Sequence, residues 1–481
     1  LTQALTIEGA SFVIAQEWWA PSPPEEGAPD RSTDKQSQTG QPKPENVVGK
    51  DPVNVATGNV YSIEQDLFIP SKGLPIQFVR AYNSQIDYQG PFGFGWTHSY
   101  NVFLTEEASG NVRERDEDGT LVIFTKNLDG SYNSPAGNHS KLTKNLPDGT
   151  FTIKRKHGET LNFNAQGKLI SIVDRNQNKI ELLYSGNNLS TIVDTSGRNI
   201  NLNYDSQGRI ICLTDPLGRS TTYTYDSSNN LSSVTDALSN KTTYEYNQHH
   251  CIKSITDPQR GNYQGEIVQS HRYFSYDSSG RCKEFKYEED IHKITLEYQS
   301  GRTDVTDSKG NKTTYYYQEI SGVKLITKII DPQNHTQQFS WDSDLNKISS
   351  LDQNNHTTFM TYDSMGNLTS VKDSLNNLTQ FTYEPDYNNV TSITDPLSNL
   401  TSYNYDDKGN LLEVIDAKLN KTKYTYDASG NMTTTTDTNG NCTKYEYDTY
   451  GNLSKTIDAL GNQTNFTYDL VGNCSRITDA K

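Results

Sequence analysis

The clearest pattern along the chain is an alternation of aromatic and polar residues that ends in aspartate. Tyr403 and Tyr405 are separated by one polar residue, and Tyr424 and Tyr426 repeat the arrangement 21 residues later. A period of two is typical of a β-strand with one buried face. The recurring Tyr-Asp pairs are Tyr204-Asp205, Tyr225-Asp226, Tyr276-Asp277, Tyr362-Asp363, Tyr405-Asp406, Tyr426-Asp427, Tyr447-Asp448 and Tyr468-Asp469.

Each Tyr-Asp pair begins a turn, and a second turn of the same chemistry follows. Residues 205–208 and 215–218 both start with Asp and end with Gly. These residues favour a type I turn, because the carboxylate accepts a backbone N–H and glycine takes the left-handed position that follows. Two such turns separated by strands of ordinary length predict a β-hairpin as the repeating unit.

The strand that leaves each Tyr-Asp turn is less regular than the strand that returns. Its aliphatic residues lie three apart, as Leu231 and Val234 do, and strict alternation would place such residues on opposite faces. Two interpretations stay open. Either the strand contains a β-bulge, or the leucine lies at the exit of the turn.

The repeats predict an all-β fold. A lone hairpin is not stable in water, so the hairpins are expected to pair edge to edge in one long antiparallel sheet. Twisted sheets rarely exceed about ten strands without curling, and 32% hydrophobic residues are too few to fill two packed layers. We therefore predict a single layer that curls into a spiral shell, with tyrosine and leucine on one face and polar residues on the other.

The chain divides into four predicted regions. Residues 1–50 are a Pro-rich, polar linker, largely disordered, with residues 1–20 as a candidate tail of a preceding domain. Residues 51–105 do not follow the repeat and contain dense aromatics and glycine turns. They are either a β cap for the bare first edge of the sheet or an independent small β domain. Residues 106–160 are irregular hairpins, and residues 161–481 are repeats of about 21 residues.

Composition excludes several classes of protein and partner. A net charge of −16 without a basic stripe argues against nucleic acid. No apolar run reaches the length of a membrane span, and the start lacks the basic region of a signal peptide. Five cysteines are too few for a disulfide framework, and Cys282 and Cys474 occupy a leucine position, which predicts small core residues. Because the chain starts without Met and stops just after Asp479, we expect it to be part of a longer protein.

No motif predicts catalysis or cofactor binding. The sequence has no His-Glu-x-x-His and no phosphate-binding or dinucleotide-binding glycine motif. Residues 116–119 and 342–344 resemble fragments of calcium loops but lack the closing Glu, so turn chemistry accounts for them. Aspartates recur in every repeat, whereas a catalytic carboxylate pair should be singular. We predict no enzyme activity, no cofactor and no metal, and we assign the Tyr-Asp pairs a structural role.

Residues 409–427 and 451–469 contain the repeat almost whole, as Gly-Asn-Leu, then Asp, Gly-Asn or Leu-Asn, Thr, an aromatic residue and Tyr-Asp. This repeat resembles the YD (Rhs) repeats of bacterial polymorphic toxins, wall-associated proteins, the encapsulating subunits of insecticidal toxin complexes and animal teneurins. Residues 51–59, 80–84 and 93–100 look like the domain that precedes the repeats in bacterial Rhs proteins. Together the two resemblances cover about residues 51–481.

The resemblance implies a hollow β-shell that encloses a C-terminal toxic domain. Many relatives close the shell with a segment that ends in an aspartic self-cleavage site; this sequence has no such segment, so no protease residue is assigned. We therefore expect a non-catalytic shell fragment that encapsulates and delivers a C-terminal toxin or effector domain, its partner in cis, in a secreted or cell-surface protein. The alternative is a cell-surface adhesin or carbohydrate-binding module that uses the tyrosine rows to bind a cell-wall or surface glycan. A hydrolase site in the insertion at residues 263–271 is a third hypothesis.

Overall fold

The computed structural model describes residues 6–7, 10–11, 52–261, 267–288 and 292–480, and the regular structure in them is β-strand. The chain divides into two compact units, Leu1–Arg31 and Ser32–Lys481. In the first unit, β1 (Thr6–Ile7) pairs with β2 (Ala10–Ser11). The rest of the predicted linker lies outside the described residues. Within the described residues, no helix is long and apolar enough to cross a bilayer.

Short sheets precede the repeats. Their strands are β3 (Tyr61–Ile69), β4 (Ile76–Asn83), β5 (Gln89–Gly90), β6 (Gly93–Phe94), β7 (Trp96–His98), β8 (Phe103–Glu106), β9 (Val112–Arg115), β10 (Leu121–Lys126) and β11 (Tyr132–Asn133). Strands β3, β4 and β7 form one antiparallel sheet, and β5 pairs with β6. The remaining four form a sheet in the order β11-β10-β9-β8.

From residue 141 onward, the repeats form one antiparallel sheet of 32 strands. Its first twelve strands are β12 (Lys141–Lys144), β13 (Phe151–Lys154), β14 (Thr160–Phe163), β15 (Leu169–Val173), β16 (Lys179–Ser185), β17 (Asn188–Val193), β18 (Asn199–Tyr204), β19 (Ile210–Thr214), β20 (Ser220–Tyr225), β21 (Leu231–Thr235), β22 (Lys241–Tyr246) and β23 (Ile252–Thr256). A small hairpin of β24 (Arg260–Gly261) and β25 (Ile267–Val268) then leaves the sheet.

The sheet continues without a crossover after this insertion. The next ten strands are β26 (His271–Tyr276), β27 (Cys282–Tyr287), β28 (His292–Gln299), β29 (Arg302–Asp307), β30 (Lys312–Ile320), β31 (Val323–Ile330), β32 (Thr336–Trp341), β33 (Lys347–Leu351), β34 (Thr357–Tyr362) and β35 (Leu368–Lys372). The last ten are β36 (Leu378–Tyr383), β37 (Val390–Thr394), β38 (Leu400–Tyr405), β39 (Leu411–Ile415), β40 (Lys421–Tyr426), β41 (Met432–Thr436), β42 (Cys442–Tyr447), β43 (Leu453–Ile457), β44 (Gln463–Tyr468) and β45 (Cys474–Thr478). The predicted long sheet of repeated hairpins is confirmed.

The same five-residue turn closes both ends of a hairpin. In the turn at 205–209, the N–H of Asp205 donates to the carbonyl of Arg209, and the N–H of Gly208 donates to the carbonyl of Asp205. The turn at 215–219 makes the same two bonds. Gly208 has a φ of 77°, a conformation that glycine adopts without steric cost. We call the turns that follow a Tyr-Asp pair, or a variant of it such as Tyr246-Asn247 or Tyr383-Glu384, the Tyr-Asp turns. The turns at the opposite end of each hairpin are the distal turns.

A β-bulge follows the Tyr-Asp turn. Tyr225 pairs with Leu231 whereas Thr224 pairs with Ser233, so one residue of the outgoing strand has no partner across the ladder. Because of this extra residue, Leu231 and Val234 lie on the same face although they are three residues apart. The structure therefore selects the bulge from the two interpretations that the sequence left open.

The aromatic residues share one face of the sheet. Tyr223 is 3% exposed and Tyr445 is 7% exposed. Thr224, on the opposite face, is exposed, and its hydroxyl bonds to the hydroxyls of Ser232 and Ser233. The wall thus has a tyrosine-lined face and a polar face.

The sheet curls until later repeats lie against earlier ones. We call residues 141–362 the first coil and residues 363–480 the second coil. Several hydrogen bonds join distal turns of the first coil to Tyr-Asp turns of the second. Among them are His157 Nδ1 with the Tyr387 carbonyl oxygen at 2.9 Å, Asn178 Nδ2 to the Ser429 carbonyl at 2.8 Å, and Arg198 Nη1 to the Leu470 carbonyl at 2.9 Å. These partners are 230, 251 and 272 residues apart along the chain.

The two cysteines at leucine positions differ in burial. Cys282 is fully buried, as the sequence predicted. Cys474 is exposed, so the prediction of a core residue was wrong there. Cys474 lies in β45, which pairs with β44 and has no further strand beyond it in the described sheet. A leucine position is buried only where neighbouring hairpins cover it.

Candidate functional site: the tyrosine-lined face and its turns

Each aspartate of the Tyr-Asp pairs closes its own turn. In all eight, Oδ1 accepts the backbone N–H groups of the second and fourth residues that follow, at 2.7–3.0 Å. The eight are Asp205, Asp226, Asp277, Asp363, Asp406, Asp427, Asp448 and Asp469. Their Oδ2 atoms accept the side chain of the fourth residue, which is Arg after Asp205 and Asp277 and Asn after the others. Each carboxylate is therefore engaged within its turn.

Hydrogen bonds within the turn favour the ionised form of Asp205. Burial alone would raise the pKa of Asp205, but hydrogen bonds from the backbone and side chain of Arg209 outweigh it, and the pKa lies below its ordinary value. In the distal turns, hydrogen bonds from the Asn377 side chain and backbone lower the pKa of Asp373. An ionised carboxylate tied to two backbone donors is poorly suited to moving a proton at neutral pH. The hydrogen bonds of these turns are those expected of structural residues.

The tyrosines of six of the eight pairs tie their strands to the hairpin before them. Tyr225 donates its hydroxyl to the carbonyl of Ile210 at 2.5 Å, and Tyr405 donates to the carbonyl of Val390 at 2.7 Å. Tyr204, Tyr362, Tyr447 and Tyr276 make equivalent bonds to the carbonyls of Leu189, Lys347, Met432 and Ile252. Burial raises the pKa of Tyr426, Tyr447 and Tyr468 to about 12. These phenols therefore remain protonated at neutral pH.

The N-terminal segment, residues 52–102, covers the tyrosine-lined face of the first coil. Trp96 Nε1 donates to the hydroxyl of Tyr246 at 2.9 Å, and the ring of Phe92 lies 4.8 Å from that of Tyr223. Backbone contacts extend from the Pro91 carbonyl, which accepts the N–H of Ile210, to the Val55 carbonyl, which accepts the hydroxyl of Thr303. The sequence left open a cap for the first edge of the sheet and an independent small β domain. These contacts instead follow the face from β19 to β29, where aromatic area can be buried.

A buried ion pair lies between this segment and the wall. Arg80 donates to both oxygens of Asp66, at 2.5 and 2.9 Å, and Asp66 also accepts the hydroxyl of Tyr223 at 2.7 Å. The guanidinium lies 5.0 Å from the centroid of the Trp96 ring. Burial by itself would lower the pKa of Arg80, but Asp66 raises it well above its usual value. The pair links two strands of the segment to a strand of the repeats.

The sequence analysis missed this cluster, although β4 contains a signal for it. Phe78, Arg80 and Tyr82 alternate in this strand, and all three are buried. An arginine in register with two aromatic residues shares their buried face and therefore needs a partner. The partner, Asp66, lies 14 residues earlier at an irregularity in β3, where no local pattern marks it.

A cavity of about 1000 Å³ opens where the N-terminal segment meets the Tyr-Asp turns at 247–251 and 277–281. Its lining includes Gln85 and His249. Burial raises the pKa of the Cys251 thiol, which makes this lining residue a poor nucleophile. Within the described residues, no three His, Cys, Asp or Glu side chains are grouped to hold a metal. Residues 263–266 of the proposed hydrolase site lie outside the described residues.

The tyrosine-lined face continues through the second coil. Tyr424 is 5% exposed, covered by its neighbours in the sheet, while Tyr403 and Phe466 are half-buried. Toward the last strand, Ile477 is 47% exposed. The second coil thus presents a concave aromatic surface with hydroxyl groups among its rings.

Three family models match separate parts of the chain. Residues 50–124 match a domain of unknown function, DUF6531. Residues 204–239 and 225–261 match the RHS Repeat, and residues 349–480 match the Teneurin YD-shell. The matched repeats are those whose tyrosines and turns build the wall. These matches show that the chain contains Rhs/YD repeats.

Curated relatives share a limited part of this YD-repeat chain. The tRNA nuclease WapA of Bacillus subtilis strain 168 is 34% identical over 140 residues, which are 29% of this chain and 6% of the relative. The tRNA3(Ser)-specific nuclease WapA of Bacillus spizizenii matches at the same identity and over the same shares. The chain therefore spans about one-sixteenth of the length of these relatives.

Solved structures of Tc toxins show a distant likeness to this YD-repeat chain. The crystal structure of TcdB2-TccC3 without its hypervariable C-terminal region has a TM-score of 0.48 at 12% identity, and covers 87% of this chain and 27% of that one. A Photorhabdus luminescens Tc holotoxin pore has a TM-score of 0.46 at 12% identity, with the same shares covered.

Proposed function

We propose that this YD-repeat chain is a non-catalytic part of a shell wall that encloses and delivers a C-terminal toxin or effector domain of the same protein. The observation that carries this proposal is the unbroken sheet that winds back onto itself, with distal turns of the first coil bonded to Tyr-Asp turns of the second. A wall of this kind separates the space on its tyrosine-lined side from proteases. We also propose that the protein acts outside the cell, secreted or at the surface, where a delivered toxin meets its target.

Two further observations support enclosure. The tyrosine-lined face of the first coil is covered by the N-terminal segment through Trp96 and Phe92. The same face in the second coil offers half-buried rings such as Tyr403 to an apolar polypeptide. The curated relatives that share 140 residues with this chain are named as tRNA nucleases. In these relatives, a sequence similar to this wall therefore belongs to a protein named for nuclease activity.

Arg198 is the side chain on which a test of enclosure depends. It donates to Asp194 within its own turn, to the Pro70 carbonyl of the N-terminal segment, and to the Leu470 carbonyl of the second coil. Arg209 occupies the same fifth position in its turn and also donates to its own aspartate, Asp205. The hydrogen bonds of Arg209 stay within the first coil, so Arg209→Ala is the matched control for Arg198→Ala.

The experiment measures trypsin cleavage of the residues that follow the wall in the full-length protein. We expect them to be resistant in the native protein, and about tenfold more sensitive in Arg198→Ala than in Arg209→Ala, because local opening of the wall controls access. Cleavage in the native protein as fast as after denaturation would show that nothing is enclosed. Quenching of tyrosine fluorescence by cell-wall polysaccharide would instead favour the carbohydrate-binding alternative.

A further inference from the structure

The cavity where the N-terminal segment meets the Tyr-Asp turns has walls that are held by direct contacts. The N–H of Cys282 donates to the Gly58 carbonyl at 2.9 Å, and the thiol of Cys251 lies 3.6 Å from the Ser84 carbonyl oxygen. A Cβ added to Gly58 would lie 2.5 Å from the Cβ of Arg281, so the segment lies directly against the turn at 277–281. The cavity is therefore formed before any ligand arrives.

Three cationic side chains from three different elements line this cavity. Lys253 lies in β23, Arg281 ends the Tyr-Asp turn at 277–281, and Lys324 lies in β31. Such a group of cations is unexpected in a chain whose formal net charge is −16. A cleft lined by charges of one sign attracts ligands of the opposite sign. The cavity is therefore a candidate site for an anion.

The acidic groups near these cations do not balance them. Asp277 is the one carboxylate among the described lining residues, and its oxygens accept backbone N–H groups of its own turn and the Nε of Arg281. Glu245, outside the lining, lies 3.9 Å from Lys253 in an exposed pair, and pairs of this kind are weak. The lining thus has two more cations than carboxylates.

The contribution of Lys324 depends on a departure from the regular repeat. Strands β30 and β31 have nine and eight residues, whereas β20 and β21 have six and five. The added length follows Tyr317, at the end of the hairpin where other repeats form a Tyr-Asp turn, and Lys324 pairs there with Glu319. The longer hairpin thus brings to the cavity a cation that the regular repeat does not supply.

The charge and the size of the cavity together indicate the class of ligand. A phosphate monoester carries a charge of about −1.5 to −2 at pH 7 and has three strong acceptor oxygens, which matches the excess of cations. A volume of about 1000 Å³ is far larger than a phosphate group and lies in the range of sites for small organic molecules. Hydroxyl and amide side chains, namely Ser278, Ser279 and Gln85, also line the cavity and can bind the hydroxyl groups of a sugar.

We propose that this cavity binds a phosphorylated sugar, with Lys253, Arg281 and Lys324 contacting the phosphate. The site is separate from the tyrosine-lined face and does not depend on an enclosed domain. Its walls come from both the N-terminal segment and the repeats. A ligand bound between them stabilises the folded chain, because it binds the assembled walls and not the unfolded chain.

The chain contains a matched control for each of the two lysines. Lys283 is the extra residue of a β-bulge, as Lys253 is, and both side chains are exposed. Lys328 lies in β31 like Lys324, and their Nζ atoms lie 5.6 and 5.4 Å from the centroid of a tyrosine ring. The described lining of the cavity includes neither Lys283 nor Lys328. A loss specific to the lining lysines therefore reports the cavity and not surface charge in general.

Isothermal titration calorimetry of the 481-residue chain with glucose 6-phosphate tests the proposal. We expect saturable binding at low ionic strength, weakened about tenfold by Lys253→Gln or by Lys324→Gln, because each variant loses a charge-assisted contact with the phosphate. Lys283→Gln and Lys328→Gln should bind as the native chain does. Added salt should weaken binding to the native chain, and glucose without the phosphate should not bind measurably.

Absence of saturable binding, or equal weakening by the lining variants and their controls, would overturn the proposal. Glucuronate bound as tightly as glucose 6-phosphate would also overturn it, since a single negative charge would then be enough. Inorganic phosphate bound as tightly would reject the sugar as part of the ligand. The thermal midpoints of the four variants without ligand verify that each is folded, so a loss of binding reports the site itself.

Discussion

In each turn, one aspartate makes most of the side-chain hydrogen bonds that hold the turn closed. In the distal turn at 373–377, Asp373 Oδ1 accepts two backbone N–H groups at 2.8 Å, and Oδ2 accepts Asn377 Nδ2 at 2.7 Å. Asn376 stands in the glycine position with a φ of 68°, a conformation that asparagine tolerates better than most residues. These interactions all lie within five residues. An Asp at the first position with Gly or Asn at the fourth was therefore enough to predict each turn from the sequence.

Acid should destabilise the sheet through these aspartates. Hydrogen bonds from Asn377 and Asn399 lower the pKa of Asp373 and Asp395 in the folded protein below the ordinary value of 3.8. A group with a depressed folded pKa stabilises the fold above its unfolded pKa, and this stabilisation is lost as the pH falls through the folded pKa. We expect the thermal midpoint, followed by circular dichroism, to hold from neutral pH to about pH 5 and to fall steeply below about pH 4. A midpoint that stays constant to about pH 2 would contradict the role assigned to the turns.

Removing one tyrosine hydroxyl should have a measurable cost. Tyr225→Phe leaves the Ile210 carbonyl without the donor that lies 2.5 Å away, and we expect a loss of about 1–2 kcal/mol in the free energy of unfolding. Tyr317→Phe is the control, because its hydroxyl bonds to the Gln299 carbonyl at 3.2 Å in an exposed position, and it should cost less than about 0.5 kcal/mol. Urea denaturation measures both variants. Equal losses would show that the bond to Ile210 contributes nothing specific.

At the scale of the hairpin, the sequence predicted the unit but not every detail of its strands. Tyrosine alternation and the two turns identified the hairpin. The spacing of Leu231 and Val234 fits a bulge and a turn exit equally well, because both put the two side chains on one face. Cys474 was misassigned because burial of its position depends on the next hairpin, which no local pattern reports.

Two glycines of one hairpin should differ in their tolerance of a side chain. Gly451 and Gly461 have φ values of 85° and 90°, so alanine at either position is strained by about 1 kcal/mol. At Gly451 the new Cβ would also lie 2.9 Å from the Lys72 backbone nitrogen, whereas at Gly461 it meets open space. We expect Gly451→Ala to lower the thermal midpoint clearly more than Gly461→Ala. An equal decrease would mean that the second coil does not touch the N-terminal segment at Lys72.

At the scale of the whole wall, the winding could be anticipated only in outline. Curling follows from a small twist that every strand adds, so no individual residue encodes where the sheet meets itself. The contacts that result join residues 230 or more apart, such as His157 and Tyr387, and nothing in the repeat distinguishes these positions. The place of the N-terminal segment was likewise beyond the sequence, because Arg80 and Asp66 become partners only when β3 and β4 pair.

The buried ion pair gives a prediction at this scale. Asp66→Leu leaves Arg80 as an uncompensated buried charge, and we expect it to cost roughly 3–5 kcal/mol. Combining Asp66→Leu with Arg80→Met should restore much of the loss, because apolar residues of similar volume can replace a buried pair. Urea denaturation gives the energies, and protease sensitivity of residues 52–102 reports release of the segment. A double variant less stable than Asp66→Leu alone would contradict this account.

The unbroken ladder of hairpins determines how the wall would yield to mechanical tension. Among the described strands, β45 is hydrogen-bonded to β44 alone. A force applied to β45 would therefore break the hydrogen bonds of one strand pair before it reached the next pair. Each 21-residue unit that peels away frees about 70 Å of extended chain before the next one bears the strain. A translocating motor that grips this end would therefore dismantle the wall in small, nearly equal steps and would never need to break it all at once.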